Sequence, residues 1–364
     1  MSRAIDRPTL PALNGLRFVA AAWVVAYHLL RPWLASTTSI ARNLIAGAPF
    51  ALSLFLVLSG FVLTYVYAPK LDRARTFYGA RCARIFPIYA LALVIAWPVG
   101  AAARHAGLVH DGYASLVFFA TATQAWVPSA ALQWDAPLWT VSVDVAFYVA
   151  FPVLLPIVAR TSTRTLFAVG ALLWAASVGL GVAYGALDPD HVGHVGVDTT
   201  GTWLHVLRFN PVVRFPDVFL GMAAAKYFVD RRRLPSFFSI AAIVVVAVVV
   251  ASGAAPIPLL HGALLAPLAC VIVLALATST GPVARALSST IAQRLGDTSY
   301  ALYALHVPLW MWLAWFTHTK MNDTNKILVA VVAVAAAFAA HIAVERPLRR
   351  VLRDALSERP SRAS

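Results

Sequence analysis

The chain has 364 residues, 60% of them hydrophobic and 12% charged, and its 29 Lys and Arg outnumber 15 Asp and Glu. With a mean hydropathy of +0.76, this composition excludes a soluble globular fold and predicts an all-α, polytopic membrane helical bundle. Two cysteines give no disulfide framework.

Apolar runs predict ten transmembrane helices, near residues 11–31, 48–67, 84–103, 137–158, 165–186, 209–229, 236–254, 258–278, 298–318 and 326–344. With the N-terminus inside, 21 of the 29 basic residues fall on the cytoplasmic side, seven fall outside, and Arg17 lies within a span. This asymmetry follows the positive-inside rule. The net charge of +14 is therefore topogenic and implies no nucleic-acid partner. Both termini are expected in the cytoplasm, with the protein multi-pass in the inner (plasma) membrane. Residues 9–350 form one predicted transmembrane domain without an appended soluble domain, followed by a basic cytoplasmic tail at 351–364.

The first span carries Arg17 and His28. Eleven residues at 100° each is three turns plus about 20°, so both lie on one helix face, about 16 Å apart along the axis. Ionisable groups inside a span cost about 2.5–3.5 kcal/mol each on insertion scales, so two on one stripe point to function. The plain alternatives are a snorkelling arginine and an interfacial histidine. In the second span, Ser59-Gly60 allows a close backbone approach or a helix break, and a packing glycine is an equal reading. Arg81 and Arg84 open the third span three residues apart on one helix side. Two guanidinium forks there suit phosphate groups; a topogenic basic cluster is the alternative.

The apolar patch 113–127 is too short to cross, so it lies at the interface or re-enters. The fourth span holds Trp139, Ser142, Asp144 and Tyr148. Asp144 falls about 10 Å below its outer end, at a depth similar to His28, where a carboxylate would fix the tautomer of the imidazole. His191 and His194 in the outer loop lack a further ligand set, and no metal site is expected. Arg214 and Asp217 in the sixth span form a structural ion pair or an acceptor site. Tyr300 and His306 in the ninth span line the same cavity or pack as hydrogen-bonded core residues. Glu345-Arg346-Pro347 ends the tenth span as a helix stop with an interfacial ion pair.

These motifs recur in order: Leu16-Arg17 to His28, Leu56 through Ser59-Gly60-Phe61, Arg81-Cys82-Ala83-Arg84-Ile85-Phe86-Pro87, Leu138-Trp139 through Asp144 to Phe147-Tyr148, Arg214-Phe215-Pro216-Asp217 to Gly221, Ser299-Tyr300 to His306, and Glu345-Arg346-Pro347. As an ordered set over about residues 9–350 they resemble the acyltransferase-3 family of membrane O-acyltransferases. The resemblance implies transfer of an acyl group, often acetyl, from cytoplasmic acyl-CoA to a hydroxyl, with no bound cofactor. It implies His28 as the catalytic histidine and Arg17, Arg81 and Arg84, with Ser59 and Gly60, on the donor side. Two positions depart from the pattern. The family usually has glutamate at Asp144 and frequently at Asp217, so each side chain here is one methylene shorter.

The expected chemistry has His28 deprotonate the acceptor hydroxyl while Asp144 orients it, by direct transfer or through an acyl-histidine. Trp139, Ser142, Tyr148, Arg214, Asp217, Tyr300 and His306 are the expected acceptor or cavity residues. The expected partners are membrane lipids, acetyl-CoA or another acyl-CoA, and a cell-envelope or exopolysaccharide sugar. A macrolide or other small metabolite is the alternative acceptor. A proton-coupled secondary transporter is the rival from a different class, because intramembrane His, Asp and Arg also mark proton relays. The arginine cluster and the lack of visible repeats weigh against it.

Overall fold

The computed structural model describes residues 8–36, 39–68, 74–107, 113–230, 232–317 and 323–357, with backbone only at 31–36, 317, 323–324 and 353–357. Among the described residues there are sixteen α-helices and no strand. In chain order they are α1 (Pro11–Ser36), α2 (Ile40–Ala46), α3 (Pro49–Tyr67), α4 (Ala74–His105), α5 (Leu116–Ala120), α6 (Trp139–Arg160), α7 (Thr163–Leu187), α8 (Thr202–Phe209), α9 (Pro211–Val229), α10 (Phe237–Ser252), α11 (Ile257–His261), α12 (Ala266–Leu276), α13 (Pro282–Leu287), α14 (Thr290–Thr317), α15 (Asp323–Ala340) and α16 (Arg346–Ser357). A π-helical turn at His341–Glu345 joins α15 to α16.

The apolar segment 258–278 is split between α11 and α12 while the other nine each fall largely on one helix, and among the described residues six stretches are long and apolar enough to cross a membrane by length and composition: Pro11–Leu30, Ile40–Tyr67, Ala74–His105, Ala136–Arg160, Thr163–Leu187 and Asn325–Leu352. The difference has a physical basis. α10 and α12 are 16 and 11 residues long, below the about 17 that a bilayer requires. Charged and polar side chains dilute α9 and α14. Arg3, Arg7, Lys70, Arg73, Arg231 and Lys320, and the tail from 358, lie outside the described residues.

Helix starts follow local chemistry. Pro49 and Pro211 begin α3 and α9, where a missing N–H costs nothing. Asn210 caps α9 by accepting from Val212 N at 2.9 Å. The tightest crossing in the bundle joins α3 and α9. A Cβ at Gly60 would fall 2.1 Å from Val218 O, and one at Gly221 would fall 2.1 Å from Val57 O. The two backbones therefore touch, as small residues permit in lipid-embedded bundles. The 113–127 patch breaks into two 3₁₀ turns around the five-residue α5. It folds onto the bundle through Tyr89 Oη donating to Phe119 O at 2.6 Å and Ala125 N donating to Ser142 Oγ at 3.2 Å.

Candidate active site

Two polar cavities lie within the bundle. The first, about 130 Å³, is lined by Arg17 of α1, Ser59 of α3, Arg81 and Arg84 of α4, Asp144 and Tyr148 of α6, and Tyr300 of α14. Arg81 and Arg84 are held in place by neighbouring side chains. The Arg81 Nη2 donates to Tyr67 Oη at 3.2 Å, with the guanidinium 5.5 Å over the Tyr67 ring. Arg84 Nη1 donates to Glu345 Oε1 at 2.9 Å. Ser59 Oγ donates to Asp144 Oδ1 at 3.3 Å. Three guanidinium groups facing one void make a site for a polyanion.

The second cavity, about 90 Å³, is lined by Tyr27, His28, Trp139, Arg208, Phe209 and His261. Leu52 and Tyr303 line both cavities, so one layer of side chains separates them. Tyr303 is fixed in that wall: its hydroxyl donates to Pro137 O at 2.7 Å and accepts from Thr140 Oγ1 at 3.1 Å.

His28 and His306 pair across α1 and α14, with Nδ1 of His28 2.8 Å from Nε2 of His306. The rings stack at 23°, centroids 5.0 Å apart. Nδ1 of His306 lies 3.2 Å from Leu302 O. A carbonyl only accepts, so His306 Nδ1 carries the hydrogen and, in the neutral ring, Nε2 carries the lone pair. His28 Nδ1–H then donates to it, which leaves the lone pair of neutral His28 on Nε2. The backbone carbonyl of Leu302 thus sets, through two rings, which nitrogen of His28 is basic.

This geometry corrects the expected dyad. The residue beside the His28 imidazole is His306, while Asp144 sits in the arginine cavity on Ser59. Side-chain direction on α6 decides this. Trp139 faces the His28 cavity, and Asp144, 500° further round and about 7.5 Å along the axis, faces the arginines. Gly60 is likewise a packing glycine against α9 rather than a lining residue. Arg214 and Asp217 pair at 2.8 Å in the dry junction of α3, α9 and α11. There Arg214 also donates to Ser53 Oγ at 2.9 Å and to His261 O. Ser142 accepts from the Ala125 amide and serves the same structural end.

The sequence reading missed Tyr303, His261 and Arg208. Tyr303 had a signal, since it falls three residues from both Tyr300 and His306 on one helix face. Arg208 comes from the short α8 outside the predicted spans, and His261 lies in the predicted span 258–278, which breaks after it.

The acyltransferase domain of the acyltransferase-3 family matches residues 10–346. The chain belongs to the acyltransferase-3 family. It is 26% identical over 363 residues, 94% of this chain and 92% of the relative, to acyltransferase MdmB of Streptomyces mycarofaciens. It is 22% identical to the putative O-acetyltransferases SACOL0978 and SAS0844 of Staphylococcus aureus strains COL and MSSA476, over 52% of this chain and 32% of theirs. This chain therefore spans about a third of those longer relatives. No solved structure matches. The protein is a membrane acyltransferase.

Proposed function

We propose that this acyltransferase takes its acyl group, acetyl in the simplest case, from acyl-CoA on the cytoplasmic side and delivers it to a sugar hydroxyl on the opposite side. The observation that carries this reading is the single layer, Leu52 and Tyr303, between an arginine cavity and the cavity of a tautomer-fixed histidine. The arginine cavity is smaller than the about 300–1,000 Å³ of a cofactor-sized site. In this reading the phosphate head of coenzyme A stays at the arginine mouth and the thin arm enters. The predicted basic excess favours a cytoplasmic mouth, on the same side as both termini. Tyr27, Trp139 and Phe209 offer flat apolar faces beside Arg208 and His261, a lining suited to a sugar ring.

In the proposed reaction His28 Nε2 takes the proton from the acceptor hydroxyl as its oxygen attacks the thioester carbonyl. The C–O bond forms, the C–S bond breaks, and the imidazolium returns the proton to the leaving thiolate. His306 holds the reactive tautomer throughout.

The test uses purified protein, acetyl-CoA and a panel of hydroxylated acceptors. Acceptor-dependent release of free CoA is expected from the wild type. His28→Ala should abolish it while the protein still accumulates in the membrane. Turnover by H28A at a near-normal rate removes His28 from the mechanism, and a wild type that consumes no acetyl-CoA removes the donor assignment.

A further inference from the structure

The π-helical turn at His341–Glu345 closes on the arginine cavity from behind. Glu345 is fully buried, and both of its oxygens are bonded to cationic or imidazole nitrogens. Oε1 accepts from Arg84 Nη1 at 2.9 Å, and Oε2 lies 2.8 Å from His341 Nδ1. Behind His341, Arg346 Nε donates to Nε2 at 3.0 Å. A guanidinium has no lone pair to offer, so His341 Nε2 must accept. The neutral ring then keeps its hydrogen on Nδ1, directed at Glu345. The result is a directed series from Arg346 through His341 to Glu345, with Arg84 on the far side.

The backbone explains how the series closes. In an α-helix residues i and i+5 lie on different faces. The wider π turn brings residue i+5 round toward residue i, which puts Arg346 over His341. Such turns recur at functional sites. A carboxylate buried this deeply is costly unless every lone pair is satisfied, and replacing such a pair with apolar groups is often neutral or stabilising. Stability alone therefore gives no reason for this arrangement. It reaches the cavity by its hydrogen bond to Arg84, which shares that space with the like-charged Arg17 and Arg81. Mutual repulsion would splay three free guanidinium groups; an anchored one stays where the ligand needs it.

We infer that Glu345, braced by His341 and Arg346, is a positioning residue that fixes Arg84 for the phosphate groups of the acyl donor. The inference rests on the donor reading given above. It assigns to the end of the tenth apolar segment a role in donor affinity, reached through Arg84.

The experiment compares wild type, Glu345→Gln, Arg84→Ala and the double variant as purified full-length proteins. Steady-state kinetics with acetyl-CoA are read alongside equilibrium binding of CoA itself. E345Q should raise the KM for acetyl-CoA and the Kd for CoA about tenfold, with kcat within about twofold and the acceptor KM unchanged. R84A should do the same or more, and the double variant should be no worse than R84A, because Glu345 acts through Arg84. A merely structural Glu345 would instead lower the melting temperature and leave these ratios unmoved. Should E345Q fail to accumulate, Arg346→Gln loosens the same series from its far end and should raise the KM about threefold.

Wild type that binds CoA and turns over while E345Q, or R346Q in its place, shows unchanged KM and Kd overturns the inference and leaves the donor reading standing. Multiplying effects in the double variant overturn it equally. Wild type that neither binds CoA nor consumes acetyl-CoA overturns both.

Discussion

Replacing His306 with phenylalanine probes the two-ring relay directly. The ring is fully buried on α14 and its Nε2 accepts from His28 Nδ1–H at 2.8 Å. Phenylalanine preserves the stacking area and removes the acceptor. A buried donor left without its partner costs about 1–3 kcal/mol, and here that energy is what favours the tautomer with its lone pair on Nε2. At about 1.36 kcal/mol per tenfold, loss of the bias lowers kcat by about 5- to 150-fold. The KM for acetyl-CoA should not move, because His306 meets the arginine cavity's lining only at Tyr303 among the described residues, and Pro137 and Thr140 hold that ring in place. His306→Gln restores an acceptor oxygen and should recover most of kcat. The assay is initial-rate kinetics on purified protein at saturating acceptor, with thermal unfolding as a control for packing. H306F with kcat within twofold of wild type, or H306Q no better than H306F, would refute the relay.

Three further outcomes follow from the bundle itself. Gly221→Val forces a side chain into the Val57 carbonyl across the α3–α9 crossing. It should cost about 3 kcal/mol or more, read as lost accumulation or a lowered melting temperature. Asp135 is fully buried just ahead of α6, and neither carboxyl oxygen has a hydrogen-bond partner. Burial holds its pKa well above the ordinary value, so Asp135→Asn should accumulate and melt at or above wild type.

In the loop after α7, burial pushes the Asp190 carboxyl up. Bonds from Trp203 N at 3.1 Å, Leu204 N at 2.8 Å and the Tyr184 hydroxyl outweigh it and hold the pKa below the usual value. A depressed carboxylate contributes stability that is present above its unfolded pKa and lost as pH falls through the folded one. Amide protection across 188–205, taken relative to the intrinsic exchange rate at each pH, should therefore fall below about pH 4. In Asp190→Asn it should be low at both neutral and acid pH. Protection that does not change with pH in the wild type would contradict this assignment.

Much of the bundle was legible because its rules are one-dimensional. Apolar length locates every long helix, and the 100° advance per residue puts Arg17 and His28 on one stripe. Arg81 and Arg84 share a cavity, as their spacing of three requires. What the sequence could not give was the rotation of one helix against another. Asp144 and His28 have similar expected depths, yet Asp144 lies about 140° round α6 from Trp139, which faces the His28 cavity, so the carboxylate meets the arginines. The partner that does meet His28 comes from α14, 278 residues away in sequence. The role of Glu345 was hidden for a different reason. Its motif reads as a helix stop, and the π turn that directs it inward has no signature in composition or period.

The placement of Asp144 among the arginines carries a consequence for turnover. A cavity holding Arg17, Arg81 and Arg84 alone would bind a polyphosphate tightly and release it slowly, and product release limits many enzymes. Asp144, on Ser59, and Glu345, on Arg84, return two carboxylates to the same neighbourhood. Glu345 fixes Arg84 apart from its like-charged neighbours in the empty site, and Asp144, which lines the cavity, weakens the field that a departing anion must escape. In the proposed reaction the acidic positions serve donor exchange and the paired histidines proton transfer, with Leu52 and Tyr303 between the two cavities. In that reading an aspartate suffices where the family usually places a glutamate. Across the cavity from Arg17 the residue tempers a charge, which depends on distance only gradually, whereas contact with an imidazole would depend on the missing methylene.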